Sequence, residues 1–159
     1  MFIRKNPFMN TTGILKGLFV GLVAGAVGTL AKTVWEDQFP VRSPQTDSPP
    51  ARLAQRATQT TLSDSEKKQA ESAIHWSFGT LTGGMYGTLV ELAPEARAGH
   101  GMLFGLGLYG LTHATTLPAA DLEPNPLETD PTFAFNEFVG HFVYAGMVEM
   151  TRRALRQVV

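Results

Sequence analysis

Long stretches of uncharged, largely apolar residues alternate with polar connections along the chain. Residues free of Asp, Glu, Lys and Arg run over 17–31, 72–90 and 98–120. A fourth stretch, near 132–150, is strongly apolar but contains Glu137 and Glu149. Because a helix that crosses a membrane needs about 20 predominantly apolar residues, we expect an all-α integral membrane domain. The predicted helices of this four-transmembrane-helix bundle lie at about 13–35, 64–92, 95–117 and 131–156.

Residues typical of helix starts flank these stretches. Ser63 and Glu66 have the spacing of a capping box, which would start the second helix before its apolar part. Pro94 and Pro131 lie near the first positions of the third and fourth helices, where proline is favoured. The polar segment 36–63 remains as a connection between the first two helices, so the chain is predicted to form a single domain.

Positive charge predicts the orientation of the bundle. Basic residues flank both termini, with Arg4, Lys5 and Lys16 at one end and Arg152, Arg153 and Arg156 at the other. The connection 118–131 contains acids but no Lys or Arg. By the positive-inside rule both termini are predicted to be cytoplasmic, and alternation places 36–63 outside. Lys16 and Lys32 are expected to extend their long side chains to the two membrane interfaces.

The first apolar stretch also has features of a secretory signal peptide. Arg4 and Lys5 precede it, and residues 29–31 resemble a small-residue cleavage site. A wholly soluble helical domain is a second alternative. The distribution of glycine argues against both, because all 16 Gly fall in four blocks and all ten Pro lie outside them. Glycine inside apolar helices, with proline in the connections, is typical of membrane helices that pack closely.

Two rows of glycine at four-residue spacing predict which helices are neighbours. The rows are Gly17, Gly21 and Gly25 in the first stretch and Gly79, Gly83 and Gly87 in the second. Small residues at this spacing let two helix backbones approach, so a glycine zipper between the first two helices is expected. The same faces would also suit a homo-oligomer or a partner in a larger membrane complex.

Composition excludes several classes of function. The net charge of -1 gives no general attraction to nucleic acid. The absence of Cys excludes disulfides, thiolate metal sites and cysteine nucleophiles. A metal site would therefore have to use His, Asp or Glu. The predicted partners are the lipid bilayer and the protein subunits just described.

The predicted orientation brings ionisable side chains together at two depths. The outer layer contains Glu36, His75, His113, Glu137 and His141. Glu137 and His141 are four residues apart and so share one helix face. Imidazole and carboxylate suit Zn or Fe, so this layer is a candidate metal site. The opposite, cytoplasmic end contains Lys16, Glu91, His100, Glu149 and Arg152, a set more typical of charge pairing.

Several of these segments resemble a known family. KTVWEDQFPVRSP at 32–44 and NEFVGH at 136–141, followed by Glu149 and Arg152, resemble the YagU-type inner-membrane proteins of bacteria. The resemblance extends from about residue 17 to 156 and implies a small multi-pass protein of the bacterial plasma (inner) membrane. It implies no reaction, because that family is uncharacterised. The chain departs from the family in having Val41 in place of a proline, and in a shorter, more polar first connection.

The leading functional hypothesis is a metal-binding or metal-dependent membrane protein. A non-catalytic accessory or assembly subunit of a membrane complex is the first alternative, and permeation of protons or small solutes is the second. A purely structural polar network would also explain the outer layer. The sequence leaves open whether any reaction is catalysed.

Overall fold

A computed structural model describes residues 11–159. The helices in this range are α1 (Thr11–Gln38), α2 (Pro49–Thr58), α3 (Asp64–Leu92), α4 (Met102–Leu111), α5 (Leu117–Ala119) and α6 (Pro131–Arg156). A 3₁₀ segment (Pro94–Gly101) precedes α4, and a π-helical turn (Thr112–Thr116) joins α4 to α5. The central helix is α1, which packs along α3 on one side and along α6 on the other. Helix α4 packs against α6.

Glycine lets α1 and α3 pack backbone to backbone. A Cβ atom at Gly25 would lie 2.6 Å from the carbonyl oxygen of Gly79, and one at Gly17 would lie 2.7 Å from that of Gly87. All six glycines of the two predicted rows lie in this seam: Gly17, Gly21, Gly25, Gly79, Gly83 and Gly87. Both helices of this seam belong to the same chain. Their glycine faces, which the sequence also predicts as contacts for a partner subunit, therefore pack against each other.

A small aromatic and aliphatic core fills the space where α1, α3 and α6 meet. Its buried members are Ala24, Tyr86, Val90, Tyr144, Ala145 and Val148. Phe104 of α4 stacks on Tyr86 of α3, with ring centroids 4.5 Å apart. Gly105 brings α4 close to α6, since a Cβ there would lie 2.9 Å from the carbonyl oxygen of His141. This contact fixes the position of α4 relative to the histidine.

The prediction of a four-span membrane bundle is wrong. Among the described helices, only α1 is long and apolar enough to cross a membrane, with a mean hydropathy of 1.9 in its best window. Helix α4 ends after ten residues, and α6 contains Glu137, Glu149 and Arg152. The uncharged part of α3 contains four Gly, three Thr and two Ser, together with one His and one Tyr, and none of these is strongly apolar. A signal sequence or the core helix of a soluble protein meets the same criterion as α1.

The predicted inside and outside of the bundle have no basis in this fold, because that assignment depended on four crossings. Two residues used for it, Arg4 and Lys5, lie outside the described residues. We therefore name the two ends by their side chains. The histidine end contains His113, Glu137 and His141. The arginine end contains Glu149, Arg152, Arg153 and Arg156.

The predicted third helix, 95–117, is interrupted twice. The backbone of Gly99, His100 and Gly101 has positive φ angles of 63°, 57° and 87°, so the chain turns sharply before α4 begins. The second interruption is the π-helical turn, in which the N–H of Leu117 bonds to the carbonyl of Thr112. Pro118 follows directly, and its ring and missing N–H disfavour a regular α-helical turn.

The connection between the first two predicted helices contains a helix of its own. Helix α2 begins after Ser48, whose hydroxyl accepts a hydrogen bond from the N–H of Ala51. The capping box at the start of α3 is confirmed: the Ser63 hydroxyl accepts from the Glu66 N–H, and the Glu66 carboxylate accepts from the Ser63 N–H. Helix α2 packs against α3 and borders the histidine end.

Candidate metal centre

Three potential metal ligands meet at the histidine end. His113, Glu137 and His141 offer one ligand atom each, and these atoms lie within 4.8 Å of one another. Glu137 and His141 are one turn apart on α6, whereas His113 comes from the π-helical turn after α4. Such turns widen the helix locally and are frequent at functional sites. Glu137 and His141 are buried, and His113 is half-buried.

Hydrogen bonds at Nδ1 assign the proton of each imidazole. His141 Nδ1 lies 2.9 Å from the backbone oxygen of Glu137 and 3.4 Å from its Oε1, so we assign the proton to Nδ1. His113 Nδ1 lies 2.7 Å from Oε1 of Glu123, which gives the same assignment. Both rings then keep a lone pair on Nε2. Carboxylate and backbone acceptors play this part behind metal-bound histidines.

Two electron-rich atoms of the cluster face each other directly. His113 Nε2 lies 3.4 Å from Oε1 of Glu137, and neither atom carries a proton in the assigned state. The rings of His113 and His141 are also close, with centroids 4.9 Å apart. A lone pair and a carboxylate repel each other at this distance unless a cation or a shared proton lies between them.

Lys32 and Arg42 bring positive charge to the same carboxylate. Lys32 Nζ donates to Oε1 of Glu137 at 2.7 Å and also pairs with Glu36 one turn along α1. Arg42 Nη2 lies 3.9 Å from Oε2 of Glu137, and its Nη1 bonds Glu71 at 3.0 Å. The sequence predicted that Lys32 extends to a membrane interface. In the structure it is only 8 % exposed and is part of the site.

Burial and charge set the protonation of the buried ligands. Burial alone would raise the pKa of Glu137, yet the nearby Lys32 ammonium holds it below its usual range, so the carboxylate is ionised. Burial, assisted by Lys32, lowers the pKa of His141 to about 3. Burial also lowers the pKa of His75. His141 is therefore neutral at physiological pH, which is the form that binds metals.

Only part of the predicted outer layer forms the cluster. Glu36 is joined to Lys32, and Nε2 of His75 lies 3.5 Å from the hydroxyl of Thr33. Glu36 and His75 both line a cavity beside the cluster, but neither belongs to the group of three potential ligands. Sequence reasoning missed Glu123, because an acidic connection resembles a solvated loop. It also missed Lys32 as a partner, although Lys32 and Glu36 have the spacing of a helical ion pair.

The arginine end is an ion-paired network without histidine. Glu149 is 1 % exposed and accepts hydrogen bonds from Nε of Arg152 and Nε of Arg153, each at 2.6 Å. The Tyr86 hydroxyl donates to the same carboxylate at 3.0 Å. These donors hold the pKa of Glu149 below its usual range, although burial opposes them.

The remaining residues predicted at this end are dispersed. Glu91 pairs with Nε of Arg156 at 2.8 Å, and Lys16 donates to the carbonyl of Val159 at 2.7 Å. His100 lies in the exposed turn before α4. The predicted cluster of five is thus a buried group around Glu149 with separate contacts nearby.

Comparison with known proteins identifies a family. No curated protein and no solved structure matches the chain. A family model described as a protein of unknown function (DUF1440) matches residues 26–150. The matched range contains His113, Glu137 and His141, together with Lys32 and Glu123. The chain belongs to the DUF1440 family of proteins of unknown function.

Proposed function

We propose that the protein binds a divalent transition-metal ion through His113, Glu137 and His141. The convergence of three potential ligand atoms within 4.8 Å of one another, with Nδ1 of each imidazole bonded to an acceptor, carries this proposal. Two imidazoles and a carboxylate are ligands of zinc and of non-haem iron(II). Three protein ligands leave at least one coordination position for water or a further ligand.

The charges around Glu137 also favour a cation. The ion pairs that connect to Glu137 join two cations to four carboxylates: Lys32 and Arg42, and Glu36, Glu71, Glu123 and Glu137. Leaving the histidines aside, this network has two more carboxylates than cations, and a divalent ion would balance that difference. Lys32 competes with the metal for Glu137, but Glu36 provides an alternative partner for its ammonium group.

Metal titration of the full-length chain in mild detergent tests the proposal. After a chelator wash, Co²⁺ is added and its visible absorption is recorded, with elemental analysis for stoichiometry. We expect one tightly bound ion per chain. His141→Ala and Glu137→Gln should each reduce affinity by more than about 100-fold, beyond the effect typical of outer-shell changes. His100→Ala, which removes an exposed histidine outside the cluster, is the matched control.

Lys32→Met distinguishes a metal site from a closed charge network. If metal and ammonium compete for Glu137, this variant should bind Co²⁺ more tightly than the parent. Circular dichroism establishes that each variant is folded. Parent-like binding by folded His141→Ala and Glu137→Gln, or no bound metal in the folded parent, would overturn the proposal.

The proposed metal site does not depend on the predicted family resemblance, the predicted localisation or the predicted partner subunits. The resemblance to YagU-type proteins and the inner-membrane localisation stay predictions from the sequence, and neither supplies a reaction. The accessory-subunit alternative was motivated by the glycine rows, which meet each other inside the chain. We therefore retain metal binding as the one proposed function.

A further inference from the structure

A large cavity adjoins the three potential ligands. It has a volume of about 800 Å³, within the range typical of small-molecule sites. Glu137, His113 and His141 all contribute to its lining. One wall belongs to α3 and the opposite wall to the segment from α4 to α5. These two walls meet at the Tyr86–Phe104 ring stack towards the arginine end and are separated by the cavity elsewhere.

The cavity is polar at the back and apolar at the sides. The back is formed by α1 and α6, which contribute Lys32, Glu137 and Tyr144. The side walls contribute Ile74 and Phe78 from α3, and Leu108, Leu111 and Leu117 from the facing segment. Phe78 is 47 % exposed and Leu111 is 65 % exposed. Large apolar side chains thus remain in contact with solvent along the walls that lead to the polar back.

The charged side chains that line the cavity indicate which head group a bound ligand would carry. The lining contains three cations and four carboxylates: Lys32, Arg42 and Lys68, and Glu36, Asp37, Glu71 and Glu137. Leaving the histidines aside, the net charge is one negative. A divalent ion at the cluster converts it to one positive, which a single anionic oxygen donor would neutralise while filling the open coordination position.

We propose that the cavity binds a single-chain carboxylate amphiphile, with its carboxylate on the metal and its alkyl chain between α3 and the α4–α5 segment. This inference rests on the proposed metal site. The chain would cover Phe78, Leu108 and Leu111, which belong to opposite walls. Each methylene so buried contributes to affinity, whereas the metal contact is the same for every chain length.

Titration of the Co²⁺-loaded, full-length chain with acetate, butanoate, hexanoate and octanoate tests this inference. Visible absorption reports carboxylate binding to the metal. If the alkyl chain is buried, affinity should rise about threefold to fourfold per methylene. Allowing for incomplete burial, octanoate should bind roughly 100-fold more tightly than acetate.

Two threonines of the π-helical turn provide matched variants. Thr112 lines the cavity, whereas Thr115 is exposed and does not. Thr112→Trp should remove most of the dependence on chain length, and Thr115→Trp should behave like the parent. Phe78→Ala, at an exposed position on the opposite wall, should weaken octanoate severalfold and provides a second test if Thr112→Trp does not fold.

Each failure has its own signature. No Co²⁺ spectrum in the parent overturns the metal site and the proposed position of the head group with it. A normal Co²⁺ spectrum with equal affinity for acetate and octanoate overturns the amphiphile alone and leaves the metal site intact. Equal loss of octanoate binding in Thr112→Trp and Thr115→Trp would also overturn the proposed position of the alkyl chain.

Discussion

The two ends of the bundle each bury a glutamate of α6, but they stabilise it differently. At the arginine end, Glu149 is surrounded by donors from Arg152, Arg153 and Tyr86. At the histidine end, Glu137 faces Nε2 of His113, which accepts rather than donates in the assigned state. Guanidinium groups are always charged, so the arginine end is neutralised by the protein alone. The histidine end retains excess negative charge.

The packing around the two glutamates also differs. The aromatic core packs next to Glu149, with Tyr86 stacked on Phe104. The cavity of about 800 Å³ opens next to Glu137. A buried carboxylate with permanent counter-ions and close packing is typical of a structural network. One with a lone-pair neighbour and space beside it is typical of a ligand site. Substitutions at the two ends should therefore affect different properties.

The largest effect is expected for Glu149→Gln. This change leaves the buried Arg152 guanidinium without its counter-ion, so the free energy of unfolding should fall by about 3–5 kcal/mol. Chemical denaturation followed by circular dichroism measures the loss. Metal affinity of the folded fraction should be unchanged, because Glu149 belongs to the opposite end. A loss below about 1 kcal/mol would contradict the structural role.

Acid should reveal the same network in the parent. The folded-state pKa of Glu149 lies below its unfolded value of about 4.5. The contribution of Glu149 is therefore complete well above pH 4.5 and is lost as the pH falls through the folded-state pKa. Denaturation curves between pH 7 and pH 3 should show a smaller loss of stability in Glu149→Gln than in the parent. Parallel curves would contradict this assignment.

The glycine seam gives the next largest effect. Gly25→Ala places a methyl group 2.6 Å from the carbonyl oxygen of Gly79, which is a backbone atom, so one of the two helices would have to shift. Overpacking of this kind costs about 1–3 kcal/mol. Gly107→Ala is the matched control, because a Cβ there meets nothing within 4 Å. In a helix interior that change should stabilise by about 0.5–1 kcal/mol. Equal effects of the two substitutions would show that the seam does not limit packing.

The sequence predicted local features better than distant contacts. The capping box at Ser63 and the common face of Glu137 and His141 follow from helical spacing alone. The span count failed because a lack of charge was taken as apolarity: α3 is uncharged over 72–90, but much of that stretch is Gly, Thr, His and Tyr. The π-helical turn at Thr112–Thr116 was also hard to predict, because the only local indication of it in the sequence is the proline that follows.

The partners of the candidate ligands depend on chain folding that no local pattern encodes. Glu123 reaches His113 because the connection after α5 folds back over the histidine end. Lys32 reaches Glu137 across more than 100 residues of sequence. Both contacts require the α1–α6 packing and the π-helical turn to be known first. Helical spacing therefore predicted two of the three clustered residues as a pair, and the fold supplied the rest of their environment.

The contact behind His113 gives a smaller effect, on metal affinity rather than on folding. Glu123→Gln weakens the acceptor that orients this imidazole, and outer-shell changes of this kind reduce metal affinity about 10–100-fold. Glu128→Gln, in the same connection but exposed, should leave the affinity unchanged. Titration of both variants with Co²⁺ measures their metal affinities. Identical affinities would mean that His113 is oriented by its other contacts.

The smallest effect is expected at the outer part of the arginine end, where Glu91 pairs with Arg156. Their side chains are 19 % and 27 % exposed, so water screens the pair far more than it screens Glu149. Exposed and partly exposed pairs contribute about 0.2–1 kcal/mol, and salt reduces that value. Arg156→Gln should lower the free energy of unfolding by less than about 1 kcal/mol, and the difference from the parent should shrink in 1 M NaCl. Glu149→Gln should retain most of its larger effect in the same salt, because its charges are buried. A salt-insensitive loss of several kcal/mol in Arg156→Gln would place this pair within the buried network and extend that network to the end of α3.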